Sequence, residues 1–563
     1  MNRVLECVPN FSEGRDPAVY HAIADAMRQV DGARVLDVDP GASTNRTVIT
    51  LAGEPAAVIE AAFKGIQKAS ELIDMAKHEG AHPRMGATDV CPLIPIAGIT
   101  NEEAVQLAHT LAKRVADELG IPTYLYERAA QEPKHKSLAS IRAGEYEGFA
   151  QKILKPEWKP DYGPAVFNAK SGATVIGVRD FLIAYNVNLN TQSVRRANSV
   201  AFDVREAGRI KREGNPVTGT IVRDAEGNPV REPGTLKAVR GIGWYIEEYG
   251  IAQVSMNLTN LSITSLHEAF QACVDSATAR GMRVTGSELV GLVPKKSLVE
   301  AGRYFLKRQN RSTGVDERTL IHIAVKSLGL DELGPFDPDQ KVIEYKLGEG
   351  QGPSLVSQPV DQFTATVASE SPAPGGGSVS AVIAGLGSSL GGMVANLSAN
   401  KRGWDDKVPL FSERADALEA LRMQLLSLVD EDSQAYEGVL EAMQLPKATE
   451  EEKTARQAAI ERANQQAAEV PLRIMETALE AYPHLAFLAE NGNPNAITDV
   501  GVGALATYAG VQGAGLNVQV NLSGVSDVAA RGLLDERRKT ALKEAKVARD
   551  AVMTIVERVL AEA

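Results

Sequence analysis

The stretch Gly334–Pro359, GPFDPDQKVIEYKLGEGQGPSLVSQP, divides the chain into two kinds of sequence. It holds four prolines, two of them in Gly-Pro steps, around one short possible strand, Lys341–Leu347. Such punctuation reads as a linker, placed over residues 335–361. Upstream, short β-branched runs such as Arg34–Val38 and Thr47–Leu51 alternate with helical segments such as Pro55–Met75. Downstream, from Gln362, alanine, leucine and glutamate dominate, and long helical periods replace the alternation. The expected fold is multidomain: mixed α/β (α+β) up to about residue 334, and an all-α helical bundle over 362–563.

The upstream part divides again near residue 180, giving expected subdomains 1–180 and 181–334. In the first, the helix from Glu54 carries Pro55 in its first turn and Val58, Ile59, Ala62, Ile66 and Ala69 on one face, which suits it to cover a sheet. The second opens with FLIAYNVNLN from Phe181, continues with AQVSMNLTN at Ala252–Asn260, and predicts a helix from Ser265 to about Gly281. Between these strands, Lys211–Gly234 holds two GNPV stretches that bracket a hairpin, read as a surface insertion. In the bundle, Ala541, Ala545, Ala548, Val552, Ile555 and Val559 recur at helical spacing in a last helix over Ser526–Glu562. Gly376–Ala399 offers small residues at nearly every turn. Each glycine costs a helix about 1 kcal/mol against alanine, so close helix contact or ligand approach must compensate.

A net charge of −12 argues against a nonspecific grip on nucleic acid or anionic membranes. Cys7, Cys91 and Cys273 are odd in number and lack metal-ligand spacing, as expected for reduced thiols with neither disulfide nor zinc. The opening MNRVLECVPNFSEG reaches a charge and then a proline before any long apolar run, so it reads as a strand and not a signal peptide. Val379–Ala399 is broken by glycines and serines and lacks the bulk of a spanning helix. The expectation is a cytoplasmic protein without membrane or nucleic-acid partners.

Chemistry concentrates in two places. In EGAHPRMGATDVCP, Glu79–Pro92, His82 stands between Gly80 and Pro83 with Arg84 and Asp89 close by in sequence. An imidazole so placed can take and return a proton near neutral pH. The other histidines, His78 among them, read as structural or exposed. In LDVDPGASTNRT, Leu36–Thr47, a strand ends at Asp39, whose carboxylate can orient a histidine or stabilise a turn; both readings stand. Asn10 and Glu13 in VPNFSEG share that ambiguity, since Ser12 or Asn10 can also cap the next helix. The second place joins SPAPGGGSVSA, Ser371–Ala381, to LVDEDSQAY, Leu428–Tyr436. Gly375, Gly376 and Gly377 before a helix present free amides or let a flat ring approach, while the Walker lysine and the dinucleotide spacing are missing. Asp430 and Asp432 point about 200° apart on a helix, so one is expected to face solvent.

CVPNFSEG, DVDPGASTNRTV, HEGAHPRMGATDVCP, YLYERAA, IRAGEYEG and GIGWYIEEYGIAQVSMNL resemble glutamate formimidoyltransferase, in order along the upstream part. The resemblance implies formimidoyl transfer from N-formimidoyl-L-glutamate to the 5-nitrogen of tetrahydrofolate, with His82 as general base. Asp39 is then the candidate to hold that imidazole, and Arg46 or Arg84 to bind substrate carboxylates. The folate-contacting segment implied is GPAVFNAKSG, from Gly163 and Pro164 to Gly172. The Lys211–Gly234 insertion departs from the animal members and leaves the tail-binding surface there open.

Downstream, APGGGS, LVDEDSQAY, LPKATEEEK, VPL at Val470–Leu472, GNPNAITDVGVGA and GLNVQVNL resemble formimidoyltetrahydrofolate cyclodeaminase. That resemblance implies ring closure to 5,10-methenyltetrahydrofolate with loss of ammonia, at Asp432 and not Asp430. Asn493, Asn495 and Asp499, with Asn517 and Asn521, are candidates to bind the pterin or the amidine; capping at the GNPN loop is equally open. Together the two resemblances imply a bifunctional enzyme using polyglutamylated tetrahydrofolate as cosubstrate, without metal, in a ring-like homo-oligomer. Lys401 and Arg402 are candidates for holding the tail, or are ordinary solvated residues. The alternatives are a chain with one working site, a formimidoylglutamate hydrolase, and a noncatalytic folate-polyglutamate scaffold.

Overall fold

A computed structural model describes residues 3–42, 44–80, 83–214, 218–348, 354–371 and 373–562 of the 563-residue chain. By contacts the chain divides into two units, residues 1–298 with 328–349, and residues 299–327 with 350–563. The first mixes sheet and helix and the second is helical, as the sequence predicts.

The first unit contains a seven-stranded sheet of β1 (Val4–Cys7), β2 (Asn10–Phe11), β3 (Ala33–Gly41), β4 (Arg46–Gly53), β5 (Thr88–Ala97), β6 (Thr123–Glu127) and β7 (Thr174–Val178). β1 and β2 share one lane between β4 and β5: Cys7 pairs with Leu51 and Leu93, and Asn10 with Val48 and Val90. Pro9, which has no N–H to donate, sits at the break. β3 lies outside β4, and β5, β7 and β6 run parallel. Helices α1 (Pro17–Arg28), α2 (Pro55–Leu72) and α3 (Asn101–Leu119) cover one face. The expected stripe of α2 is buried there with Leu5, Cys7, Cys91, Leu93 and Ile176. Side chains one step along point the other way: Val90 and Val175 pack with Tyr124, Ile141 and Phe149. Ile141 and Phe149 come from the short helices α4 (Leu138–Arg142) and α5 (Glu145–Lys152).

The second sheet joins β8 (Ile183–Leu189), β13 (Val239–Ile246), β14 (Ile251–Leu258) and β15 (Val284–Val290) in the antiparallel order β13-β14-β8-β15. Helices α6 (Val194–Val204) and α7 (Leu266–Ala279) pack with it, and α7 matches the helix expected from Ser265. Asn186, Asn188 and Gln253 are buried and satisfied in an amide ladder, in which Gln253 Nε2 donates to Asn188 Oδ1 at 2.8 Å. The insertion is a ribbon of two-residue strands, β9 (Arg209–Ile210), β10 (Arg212–Glu213), β11 (Thr220–Ile221) and β12 (Arg231–Glu232).

The possible strand at Lys341–Leu347 is instead two short helices. After α8 (Lys295–Arg308) and α9 (Glu317–Leu328) come α10 (Pro338–Lys341) and α11 (Ile343–Lys346). Asp337 caps α10 by accepting the Asp339 amide, and Pro338 is preset for its first turn. Ile343 and Leu347 pack against Val4, Leu36 and Ala52. Burying each such side chain stabilises by about 2 kcal/mol, so this part of the proline-rich stretch is a docked element.

The second unit adds α12 (Val360–Val367), α13 (Gly376–Ala399), α14 (Val408–Gln444), α15 (Glu450–Leu479), α16 (Tyr482–Asn491), α17 (Ile497–Asn521) and α18 (Val528–Glu562). Residues 299–327, expected within 181–334, cluster with it: Thr313 N donates to Ser412 Oγ at 2.9 Å and Asn396 Nδ2 to Gly314 O at 2.7 Å. α13 and α17 run antiparallel in close contact. A Cβ at Gly510 would lie 2.7 Å from the Ala384 methyl, and one at Gly387 2.8 Å from Gly503 O. α13 is long and apolar enough to cross a membrane, and 56% of that window is buried inside the bundle.

The three cysteines are buried thiols. Though 84 positions apart, Cys7 and Cys91 meet on the two neighbouring strands with Sγ atoms 3.4 Å apart.

Candidate functional sites

Strand register brings four loops to one end of the seven-stranded sheet: those after Phe11, between Gly41 and Arg46, before Thr88 and before Thr174. Asn45 ties three of them. Its Oδ1 accepts the Gly14 amide at 3.0 Å, its Nδ2 donates to Glu79 O at 2.8 Å, and its own carbonyl lies 3.0 Å from His78 Nε2. It does so at a φ of 49°, a left-handed conformation that asparagine tolerates better than most residues. A Cβ at Gly80 would lie 2.9 Å from that of Asn45, and one at Gly14 2.6 Å from Arg46 N. The backbones therefore touch with no room for side chains. His82 lies outside the described residues.

Arg84 is buried, and all five of its N–H groups are engaged. Nε donates to His78 Nδ1, Nη1 to Glu145 and Glu147, and Nη2 to Glu147 and the His78 carbonyl, at 2.7–3.3 Å. Because Nε can only donate, His78 Nδ1 accepts and Nε2–H faces Asn45, which gives His78 the structural role expected of it. Glu79, Gly80, Gly144 and these two glutamates line a cavity of about 470 Å³. Its three carboxylates make it a poor seat for a dicarboxylate.

Arg46 is different. Its Nη1 donates to Asn10 Oδ1 at 2.9 Å, which gives Asn10 a site-facing role. Burial and the neighbouring Arg142 charge draw its proton affinity down, while Asp89 and Asp39 oppose that. Asp89 is buried, with Oδ1 accepting the Met85 amide at 2.9 Å and Oδ2 paired with Arg142 Nη2. Burial pushes the Asp89 carboxyl up against the pull of Arg142. Asp39 is exposed on β3, opposite Val48.

The GPAVFNAKSG segment reaches the same end. Gly172, at a φ of 66°, bridges to Gly86, and a Cβ there would lie 2.7 Å from Gly86 Cα. Phe167 packs against Tyr146 and Phe149 at ring distances of 5.4 and 6.1 Å, tilted to the first and edge-on to the second, an apolar aromatic cluster. Gly163 packs instead against Ala116 and Ile121 near the end of α3, with Pro164 exposed.

In the helical unit, Asp432 on α14 faces the start of α13. Ser378 Oγ lies 3.0 Å from Asp432 Oδ2, 3.0 Å from the Val429 carbonyl and 3.2 Å from Ser433 Oγ. Burial pushes the Asp432 carboxyl up, and the Ser378 hydroxyl and amide only partly offset it. A Cβ at Gly377 would lie 2.5 Å from Asp432 Cγ, and one at Gly376 3.0 Å from Asn517 Nδ2. Gly375 is the N-cap of α13. The glycine run therefore lets α13 approach both Asp432 and Asn517.

Asp430 does not face solvent freely, contrary to the expectation for one of the two aspartates. Its carboxylate accepts Ser354 Oγ at 2.6 Å and the Leu355 amide at 2.8 Å. Asn521 Nδ2 donates to the Ala467 carbonyl at 2.6 Å, joining α17 to α15. The GNPN loop sits at the other end of α13, where Asn493 N donates to Ser398 Oγ at 2.8 Å and Asn493 Oδ1 accepts the Asn495 amide. Twenty-one helical steps separate Gly377 from Ser398, about 30 Å. Asn493, Asn495 and Asp499 are thus not gathered around Asp432 of the same chain. Lys401, just past that far end, holds its ammonium 4.2 Å from the Trp404 ring centre. Among the described residues no cluster of three or more His, Cys, Asp or Glu side chains could hold a metal.

Asn45, Arg142, Ser378 and Ser433 all fall within or beside quoted motifs, yet only their contacts single them out. Hydroxyl, amide and guanidinium side chains facing a motif's carboxylate or histidine loop are the signal that could have found them.

Three family models match in order: the formiminotransferase domain N-terminal subdomain over residues 4–179, the formiminotransferase domain over 184–348, and formiminotransferase-cyclodeaminase over 359–540. The formimidoyltransferase-cyclodeaminase of Mus musculus is 42% identical over 558 residues, 99% of each chain. The glutamate formimidoyltransferase of Streptococcus pyogenes serotype M1 is 39% identical over 54% of this chain and 94% of its own. The methenyltetrahydrofolate cyclohydrolase of Methylorubrum extorquens is 36% identical over 32% of this chain and 86% of its own. With both halves matched in order and along almost the whole length, this chain belongs to the formimidoyltransferase-cyclodeaminase family.

Proposed function

We propose that the first unit transfers the formimidoyl group of N-formimidoyl-L-glutamate to the 5-nitrogen of tetrahydrofolate, and that the helical unit closes the product to 5,10-methenyltetrahydrofolate with release of ammonia. The observation that carries this reading is the full-length likeness to the mouse protein, which spans both sites.

In the transfer, the folate amine attacks the amidine carbon and loses a proton, and the bond from that carbon to the glutamate nitrogen breaks as the nitrogen regains one. His82 moves that proton in both directions. Asp39 orients the imidazole, and Arg46 holds a carboxylate of the donor. Arg84, with every N–H engaged, serves as the clamp of the loop and not as a substrate ligand. Phe167 and the backbone near Gly172 wall the pterin, and Gly163 and Pro164 mark the outer end of that segment.

In the second reaction the 10-nitrogen attacks the same carbon and ammonia departs. Asp432 delivers the proton to the leaving nitrogen; burial favours its protonated form. Ser378 positions the carboxyl and is itself met by the Ser433 hydroxyl, and Asn517 lies beside Gly376 at the same end of α13. Both steps need only placement and proton transfer by these side chains.

The folate is polyglutamylated in this reading, its anionic tail meeting Lys401 and Arg402, and the protein assembles as a ring-like homo-oligomer in the cytoplasm. Leu386 and Leu397 on α13, with Val502 and Leu505 on the touching α17, are exposed apolar side chains that support an interface between copies. The test is incubation of purified protein with formimidoylglutamate and tetrahydrofolate, following methenyl-folate absorbance and ammonia. Both products support the proposal; folate-independent hydrolysis of the amidine to formamide and glutamate favours the hydrolase alternative.

A further inference from the structure

We infer that Arg142 binds a carboxylate of the formimidoyl donor, completing with Arg46 a two-arginine subsite for its dicarboxylate. The inference rests on the transferase reading above and assigns a ligand to a residue that reading leaves unused.

A dicarboxylate needs two cationic partners, and Arg84 cannot be one without giving up contacts to His78, Glu145 and Glu147. The cavity beside it is lined with carboxylates. Arg142 stands in the opposite situation. Its Nη2 pairs with Asp89, but its Nε is buried without a hydrogen-bond partner. A buried guanidinium N–H left unsatisfied is costly, and an incoming carboxylate oxygen would remove that cost.

The local charges point the same way. Arg46 and Asp89 adjoin Thr47 and Thr88, the two partners of Phe11 across the β2 lane, and Arg142 pairs with Asp89, which places the Arg142 charge where it opposes that of Arg46. One Asp89 oxygen is already taken by the Met85 amide and the other by Arg142. Asp39, the other carboxylate acting on Arg46, is exposed on β3. A ligand carboxylate set between the two guanidinium groups would offset the charge that Arg142 exerts on Arg46.

The position of Arg142 is also fixed in advance. Lys152 Nζ donates to the carbonyls of Ser140 at 3.0 Å, Ile141 at 2.7 Å and Ala143 at 2.9 Å, gripping the chain on both sides of residue 142. A residue held this way loses little further backbone freedom when the ligand arrives. The Met85 amide on Asp89 ties the same cluster to the loop that carries position 82.

A carboxylate could come from the donor or from the glutamate tail of folate, so the test measures both. Michaelis constants for formimidoylglutamate and for tetrahydrofolate are determined separately on the full-length protein, for wild type, Arg142→Gln, Arg142→Lys and the double variant Asp89→Asn/Arg142→Gln. The expected result is a donor constant raised about 10- to 100-fold in Arg142→Gln, the loss of one charged hydrogen-bonded pair. The folate constant stays within about twofold, a change too small for a lost ionic contact, and lysine restores part of the donor affinity.

The double variant carries no buried unpaired aspartate, so it separates binding from folding. A donor constant that remains raised there supports the subsite. A donor constant that returns to wild type, or an effect confined to tetrahydrofolate, overturns it. Wild-type protein that transfers nothing overturns the transferase reading itself, and the subsite with it.

Discussion

Gly377 stands directly against Asp432: a β-carbon on residue 377 would lie 2.5 Å from the aspartate Cγ, inside any real contact distance. The glycine that weakens helix α13 is thus the one that admits the carboxyl of α14. Gly377→Ala should lower the cyclodeaminase kcat by about 100-fold or more, the cost of a misplacement near 1 Å, while formimidoyl transfer is retained. Ammonia release from preformed 5-formimidoyltetrahydrofolate, beside a transferase assay, reads the two separately. Equal cyclodeaminase rates in variant and wild type would refute the placement.

Asp432 also sets a pH dependence. Burial raises its folded-state pKa above the unfolded value, so its contribution to stability is complete below about pH 4, the unfolded carboxyl range. It is lost as pH rises through the raised value. Asp432→Asn removes that loss. The variant should melt at or above wild type at neutral pH, by roughly 2–4 °C for each kcal/mol recovered, and should lose ring closure. Calorimetry from pH 4 to 8 checks both the sign and the flattened profile.

Arg84 is predicted to matter for folding and not for affinity. Arg84→Gln strips partners from His78, Glu145 and Glu147. Stability should fall by about 2 kcal/mol, as for a lost charged hydrogen-bond set. The Michaelis constant for formimidoylglutamate should stay unchanged in the folded protein. Urea unfolding and steady-state kinetics on one preparation separate these, and a raised donor constant at unchanged stability would return Arg84 to the substrate.

Asn45→Asp keeps the acceptor for the Gly14 amide and replaces the donor to Glu79 O with a carboxylate oxygen. The expected effect is a transferase kcat reduced about tenfold, one charged-group mismatch at the loop before Thr88, with cyclodeamination intact. Wild-type transfer in this variant would show that the tie between the loops is dispensable.

The sequence made the two unit types legible because period and composition change together after the proline-rich stretch. The small residues of α13 likewise demanded close contact, and Gly387 and Gly510 supply it. What failed was local ambiguity or distant pairing. Seven residues, Lys341–Leu347, fit either period, and burial of Ile343 and Leu347 against Val4 and Leu36 fits them as helices. Asp430 and Asp432 diverge around α14, but nothing local signals that Ser354 and Leu355, about 75 positions earlier, occupy Asp430. Arg84 looked like a free cation because Glu145 and Glu147 lie some sixty residues away. Resemblance gives the GNPN loop to the same folate site as Asp432, and the length of α13 parts them.

Two reactions at two sites on one chain can be told apart in a single assay. The most direct measurement follows methenyl-folate absorbance and ammonia release from formimidoylglutamate and tetrahydrofolate, in wild type beside His82→Ala and Asp432→Asn. The account predicts both products from wild type, no folate product from His82→Ala, and accumulation of 5-formimidoyltetrahydrofolate without ammonia from Asp432→Asn. Methenyl-folate and ammonia formed at the wild-type rate by Asp432→Asn, or no folate product from wild type, would contradict it.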